Sequence, residues 1–390
     1  MWPGSAGVTT AVERAGGDER DVLERYLIIP SAGRPTFLLP LESSVAAGAS
    51  LRAYNRMRPP AARAARWMVS AAATTGLAPL LLRDRLYVRA SSAARTTMTL
   101  TEYLAEALGV RRVSVSARVF RRAGRKPTLQ VFSERGEPLA YVKVGWDERT
   151  RALVRNEARA LEACAEANLR IVTPRLMHVG EWDDRVVTAT SPLPENTIRF
   201  APADGPPPLA AALEIASLVP NQNRELSASP WWASFRARVG AAVEEEPRAG
   251  FAADLLARIE QRAAVLLRFG SWHGDWTPWN LGVADRRLVA WDWEEYEDDA
   301  PVGFDHLHFV FHAGLRLDGL DVSGAMERCR TAARDLERVQ PPEAARILPE
   351  LYLLEAWLRF HRASRSGTGT RRDLIDQFAT AAASRTAGER

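Results

Sequence analysis

Ser271-Trp-His-Gly-Asp-Trp-Thr-Pro-Trp-Asn-Leu-Gly-Val283, with Leu288-Val-Ala-Trp-Asp-Trp-Glu294 just beyond it, is the stretch on which the reading of the whole chain turns. Asp275 and Asn280 lie five residues apart, in a segment with a Gly before it and a Pro inside it, which marks a loop rather than a helix. Asp292 closes an apolar run, Leu288 to Trp291, short enough for a buried strand. A carboxylate at the end of such a strand, near a second carboxylate and an amide on a loop, suits a hard divalent cation. Such ions take oxygen ligands and often keep positions for water and phosphate oxygens.

Upstream, Lys143 sits in Ala140-Tyr-Val-Lys-Val144, on a predicted strand whose other residues are apolar. A Lys directed into a sheet-lined cleft is costly without a counter-charge. The helix predicted over about 149–167 offers one, because Leu153, Glu157, Leu161 and Cys164 fall on a single helical face. Taken alone, a surface Lys and a solvated Glu would read equally well.

At 390 residues the chain is expected to hold two or three compact units. A net charge of +4 is small for this length, and Arg is spread along the chain, so neither a basic face nor a recognised nucleic-acid module is visible. Cys164 and Cys329 are the only cysteines, which leaves no disulfide framework and no metal-ligand spacing. Met1 to Arg20 lacks the apolar core of a secretory signal. The longest charge-free stretch, Trp67 to Leu82, is broken by Gly76 and Pro79 and falls short of a span of roughly 20 apolar residues. A cytoplasmic protein with no membrane span is the expectation.

In chain order, residues 1–20 read as a disordered N-terminus. Residues 21–110 read as a separate region without recognisable chemistry. It has a hairpin, Tyr26–Pro30 with Phe37–Pro40, exposing one apolar surface, then Ala-rich helices and a short helix after the capping box Thr99-Leu-Thr-Glu102. From Arg112 the pattern turns to strands, with a helix at 149–167 and two further strands before Pro192 and Pro194. After Pro206-Pro-Pro208 it is largely helical, including one long helix over 251–269, apart from the hairpin that follows Asn280. Strands first and helices later fit a two-lobed α+β architecture.

His273-Gly-Asp275 with Asn280, then Trp291-Asp292-Trp-Glu294, resembles the catalytic and metal-binding loops of the aminoglycoside phosphotransferase and choline kinase families, relatives of the protein kinases. The resemblance implies an α+β, two-lobed protein kinase-like fold, and residues 21–110, which lie outside it, would be an extra N-terminal α/β region. The β-rich N-lobe would span 111–191 and the helical C-lobe 192–390. It also implies an ATP-dependent phosphotransferase acting on a small-molecule hydroxyl: an amino sugar, another sugar or an amino alcohol. Asp275 would then be the base, and Asn280 and Asp292 would hold Mg²⁺ on the nucleotide phosphates. Lys143, positioned by Glu157, would take the α- and β-phosphates of ATP bound near a hinge at Ala189–Pro194. His273 would buttress the loop, and Asp305, in Gly303-Phe-Asp-His306, would brace the helix after it.

Other residues admit two readings. The loop Arg121 to Pro127, with Gly124 and Arg125, falls where relatives cover the phosphates, yet a solvated basic hairpin tip would look the same. Glu294, Glu295, Glu297, Asp298 and Asp299 could attract a cationic acceptor or be solvated loop charge. Trp276 and Trp279 are candidate acceptor contacts, as are Glu294 and Glu295, whereas Trp291 and Trp293 are expected in the core. The role of Trp231 and Trp232 is left open. His306, His308 and His312 read as surface or core histidines of a helix, not as a zinc site. Two rival functions share these motifs: a peptide Ser/Thr kinase of a natural-product pathway, and a non-catalytic nucleotide-binding partner subunit.

Overall fold

The structure, a computed structural model, describes residues 8–14, 21–56, 60–90, 98–119, 128–201, 205, 207–246, 248–365 and 372–383. The fold is α+β, and the chain divides into two compact units, one made mainly of residues up to Ile198 and the other mainly of Arg199 onward.

In the first unit the order is β1 (Val8–Arg14), β2 (Val22–Ile29), β3 (Phe37–Pro40), α1 (Ser44–Arg56), α2 (Pro60–Thr74), α3 (Ala78–Leu81), β4 (Asp84–Ala90), α4 (Leu100–Ala107), β5 (Ser114–Arg118), β6 (Thr128–Phe132), β7 (Pro138–Gly145), α5 (Glu148–Glu166), β8 (Leu176–Trp182) and β9 (Arg185–Thr190). The strands form one nine-stranded sheet in the order β1-β4-β2-β3-β5-β6-β7-β9-β8. Two expectations are corrected here. Val8–Arg14, expected to be disordered, pair along their full length with β4. The region 21–110 is not separate either, because β3 pairs with β5 through Phe37–Arg118 and Leu38–Ala117 and so continues the sheet.

That junction also explains why Tyr26–Ile29 and Phe37–Pro40 are apolar throughout rather than alternating. A strand covered on both faces has no solvent side to mark with polar residues. On one face Leu27, Ile29, Phe37 and Leu39 pack with Ala47 and Leu51 of α1. On the other, Tyr26, Ile28 and Leu38 join Val115, Ala117, Leu129 and Val142 beneath Leu100 and Leu104 of α4. The predicted hairpin is therefore present, but it has two apolar surfaces. Glu24, buried among these residues, accepts bonds from the Tyr26 hydroxyl at 2.9 Å and from the Thr101 hydroxyl at 2.8 Å. It places a carboxylate at the N-terminal turn of α4, where helical N–H groups favour negative charge, and the Thr99/Glu102 capping box closes the same turn.

A second polar chain crosses the α1 side. Ser50 of α1 meets Ser116 of β5 at 2.6 Å and donates to Gln130 of β6, whose amide donates to the Tyr141 hydroxyl of β7. Helix α1 is thus bonded to the strand that carries Lys143.

After β10 (Ile198–Arg199), the second unit contains α6 (Leu209–Ala216), β11 (Gln222–Glu225), α7 (Pro230–Glu245), α8 (Gly250–Glu260), β12 (Leu266–Trp272), β13 (Leu281–Ala284), β14 (Arg287–Ala290), β15 (Glu297–Pro301), α9 (Phe304–Arg316), α10 (Val322–Ala332), α11 (Pro342–Arg365) and α12 (Arg372–Ala383). The long helix expected over 251–269 ends at Glu260, and Leu266–Trp272 is a strand between β11 and β15. Gly270 is required there, since a Cβ would collide with the Ala216 carbonyl oxygen and the Asn221 side chain. Trp231, Trp232, Phe235, Phe269, Phe304, Phe311 and Trp357 form the centre of the helical core, which settles Trp231 and Trp232 as packing residues. Among the described residues no helix is long and apolar enough to cross a membrane.

Candidate active site

The site is built on the loop that leaves β12. The strand delivers the chain to His273, and Gly274 then takes φ +81°, a left-handed conformation open to glycine at little cost. The turn admits nothing larger, because a Cβ at Gly274 would be driven into the Glu295 backbone carbonyl. Gly274→Ala is accordingly expected to cost about 3 kcal/mol, combining backbone strain with a forced loop shift. Urea unfolding would read this as a lower midpoint at unchanged slope; a variant as stable as the wild type would contradict it.

His273 is fully buried and laces the loop together. Its Nδ1 accepts the Asp275 backbone N–H at 3.2 Å, and its Nε2 lies 3.2 Å from the Trp291 carbonyl. A carbonyl only accepts, so the ring proton resides on Nε2. This imidazole ties the Asp275 backbone to the residue before Asp292. Trp291 in turn donates its N–H to the Asn280 carbonyl at 3.2 Å. The residue immediately before Asp292 is therefore bonded on both sides to the loop carrying Asp275 and Asn280. Asp292 itself lies beyond the end of β14, at φ +70°, a conformation Asp tolerates better than most residues and one that gathers at functional sites.

Asn280 donates from Nδ2 to Asp275 Oδ2 at 2.7 Å and to the Asp275 backbone carbonyl at 3.0 Å. Both partners are acceptors, so the amide nitrogen must face them, and Oδ1 is turned the other way. That oxygen, with the carboxylate of Asp292 one residue beyond the Trp291 bonded to this loop, is the kind of donor a hard cation takes. Among the described residues no group of three or more His, Cys, Asp or Glu is placed to hold a metal. A cation here would take its remaining ligands from phosphate and water, the habit of Mg²⁺.

Two helices hold the loop from behind. Asp305, in the first turn of α9, accepts the His273 N–H at 2.7 Å and the Gly274 N–H at 3.2 Å. Burial pushes its carboxyl up to about 7, against those two N–H groups and Arg359, which pull it down. Arg359 of α11 donates to the Gly274 carbonyl at 2.6 Å and to Glu355 at 2.7 Å, and lies 4.6 Å over the Trp272 ring. Its guanidinium is kept charged by Glu355, Glu295 and Glu297 despite burial. Sequence reasoning misses Arg359. Its one signal is the set of polar side chains at Tyr352, Glu355 and Arg359, spaced to share a face of a helix otherwise largely apolar.

In the first unit, Lys143 Nζ lies 2.9 Å from both carboxylate oxygens of Glu157. Lys143 is on β7, opposite Thr128 of β6 and Thr188 of β9, and Glu157 is buried on α5. The register of α5 is set by Asp147, whose carboxylate accepts the Thr150 N–H at 2.7 Å and is held below the usual carboxylate range by its Thr150 hydrogen bonds.

Other candidates fall elsewhere. Gly124 and Arg125 lie outside the described residues. Trp276 has no exposed surface and packs edge-on against His273 at 5.6 Å, so it cannot offer a face to an acceptor. Trp279 is half-buried against His312. Trp293 is core, its ring tilted against His273 with centroids 4.4 Å apart, but Trp291 is only half-buried. Most of the acidic run is engaged within the fold and not merely solvated: Glu297–Pro301 is β15, Asp299 pairs with Arg224, and Glu295 and Glu297 both interact with Arg359, while Asp298 is exposed. Glu294 and Glu295 are half-buried. Burial raises the Glu295 carboxyl; Arg359 lowers it, and Glu294 and Asp275 raise it further.

No protein-family model and no curated sequence matches the chain. Solved structures do. The gentamicin complex of APH(2″)-IIa is 13% identical, covering 72% of this chain and 94% of its own at a TM-score of 0.46. A choline/ethanolamine kinase family protein from Mesorhizobium loti is 17% identical, covering 67% and 86% at 0.44. A glucosamine kinase with glucosamine, ADP and inorganic phosphate is 14% identical, covering 74% and 84% at 0.40. The chain is similar to these in the course of its backbone.

Proposed function

We propose that this protein is a phosphotransferase that moves the γ-phosphoryl group of ATP to a hydroxyl of a small molecule. The observation carrying the reading is the loop His273–Asn280. It fixes a carboxylate through Asn280, turns an amide oxygen outward, and is bonded on both sides to the residue preceding Asp292. Asp275 accepts the proton of the acceptor hydroxyl while its oxygen bonds to the γ-phosphorus and the bond to the β-phosphate oxygen breaks, releasing ADP. Lys143, gripped by Glu157, donates to the α- and β-phosphates. Asn280 and Asp292 would hold Mg²⁺, which when bound neutralises charge on the phosphate oxygens. Most of the rate then comes from positioning and preorganised charge, with no covalent intermediate on the protein.

An amine-bearing acceptor is favoured over a neutral one. Burial is what chiefly raises the Glu295 carboxyl and Arg359 offsets part of it, yet Glu294 and Asp275 still push it upward, so three acidic groups feel one another here. An ammonium group beside the three would relieve that repulsion. The test is ADP release from Mg²⁺ and ATP with glucosamine, gentamicin or choline as acceptor, and N-acetylglucosamine as the neutral control. Turnover with at least one amine and little with the control is the expected result. Absence of ADP release with every acceptor would overturn the proposal.

A further inference from the structure

His308 does not belong to the machinery assigned above. It lies on α9, one turn beyond Asp305, and is buried. Its Nε2 is 3.4 Å from Asp275 Oδ1, and its Nδ1 is 3.0 Å from the Tyr352 hydroxyl of α11. A carboxylate has no proton to give, so the Asp275 contact places the ring proton on Nε2. Nδ1 is then an acceptor, and the Tyr352 hydroxyl must be its donor. Burial works for this arrangement at both ends. It holds the His308 imidazole well below its usual range and hence neutral, with Arg359 and His273 pushing the same way. It also raises the Tyr352 phenol, which keeps its proton.

The contact is longer than a tight charge-assisted bond, as catalytic contacts often are before substrate is bound. Rotation of the ring is restricted by neighbours. Trp272 stands edge-on at 6.2 Å and His312 lies 4.3 Å away, centroid to centroid. With Asn280 donating to Oδ2, both oxygens of Asp275 receive a side-chain donor. A carboxylate whose side chain is a third exposed would otherwise be free to rotate about χ2.

Resting on the reading of Asp275 as the base, we propose that His308, backed by Tyr352, is a positioning residue that orients the Asp275 carboxylate toward the acceptor hydroxyl. His308 accepts no proton in the reaction. It sets where the lone pair of Asp275 points, and Tyr352 sets which nitrogen of His308 carries hydrogen. This is the role a second hydrogen-bonding partner plays for a general base held in a defined tautomer and rotamer.

The test combines turnover with a spectroscopic readout independent of it. Initial rates of ADP release are compared for wild type, His308→Leu, His308→Gln and Tyr352→Phe, using the best acceptor of the panel or water. His308→Leu is expected to lower kcat about 30-fold with the KM for ATP within about twofold, the loss of one hydrogen bond to a charged group. His308→Gln, whose amide N–H can reach the same oxygen, should recover to within about fivefold of wild type. Tyr352→Phe should fall between them. Long-range nitrogen–proton correlation of the imidazoles should show the Nε2–H tautomer at His308 and a shift of that resonance in Asp275→Asn.

Wild-type kcat in His308→Leu would overturn the proposal, as would a Gln variant no better than Leu or an Nδ1–H tautomer. A wild-type protein with the Nε2–H tautomer that releases no ADP under any condition would instead overturn the phosphotransfer reading, and the positioning role with it.

Discussion

Asp275→Asn is expected to fold as the wild type does and to lose about 10³-fold in kcat, within the range that a positioned general base contributes. The substitution keeps volume and shape, and the side chain is a third exposed, so little packing is at stake. What changes is that an amide cannot take up the acceptor proton. The substituted side chain would also present one oxygen and one NH₂ where Asn280 and His308 both donate, so one donor would face another. The KM for ATP should hardly move, because Asp275 is assigned to the acceptor and not to the phosphates. Steady-state ADP release, with thermal unfolding alongside, checks both halves. A variant that retains a tenth of wild-type kcat would remove Asp275 from the role of base.

The parts of the site that are legible in the sequence are those whose chemistry is punctuated locally. Gly274 and Pro278 mark the loop, and Asp275, Asn280 and Asp292 fall within eighteen positions of one another. Lys143 and Glu157 are half legible: a Lys on an apolar strand and an acid on the inner face of the next helix suggest a pair, but two surface charges would give the same pattern, and it is the contact at 2.9 Å that joins them. His308, Tyr352 and Arg359 are not legible, since they are joined to the loop or to one another across 33, 44 and 85 positions, from helices whose spacing reports burial and not destination. Trp276 misleads for a related reason. A Trp beside a base invites a role in binding, yet a loop held at φ +81° needs something rigid behind His273.

In the fold, β4 escapes notice because Arg85 and Arg89 break its apolar pattern. Arg85 is buried with its charge satisfied by the Leu82 and Pro79 carbonyls, and Arg89 pairs with Glu13 of β1. The strand β12 reads as the end of a helix because apolar residues continue past Ile259 at helical spacing. Pairing on both sides, with β11 and β15, decides otherwise, a tertiary contact overriding local propensity. The junction of β3 with β5 rests on two residue pairs separated by about eighty positions, for which no local pattern exists.

Lys143→Ala should fail twice, and the two failures can be separated. Removing the ammonium leaves Glu157, only 6% exposed, as a buried carboxylate without its counter-ion. Breaking a buried pair from one side costs about 3–5 kcal/mol, because the remaining charge stays desolvated. It should also lower kcat/KM for ATP by about 10²-fold, the loss of one preorganised donor to a developing phosphate charge. Activity alone cannot tell an unstable enzyme from one that has lost a phosphate ligand. A Lys143→Met/Glu157→Leu double variant can, since replacing both ions by apolar groups of similar size restores most or all of the lost stability and leaves no ammonium to donate to the α- and β-phosphates. The expected pattern is therefore a single variant that is unstable and inactive beside a double variant that is stable and still inactive. Urea midpoints and ADP release on the same preparations give both measurements. Recovery of turnover in the double variant would mean that the pair serves only to fasten α5 to β7, and the nucleotide would then have to be held by other residues.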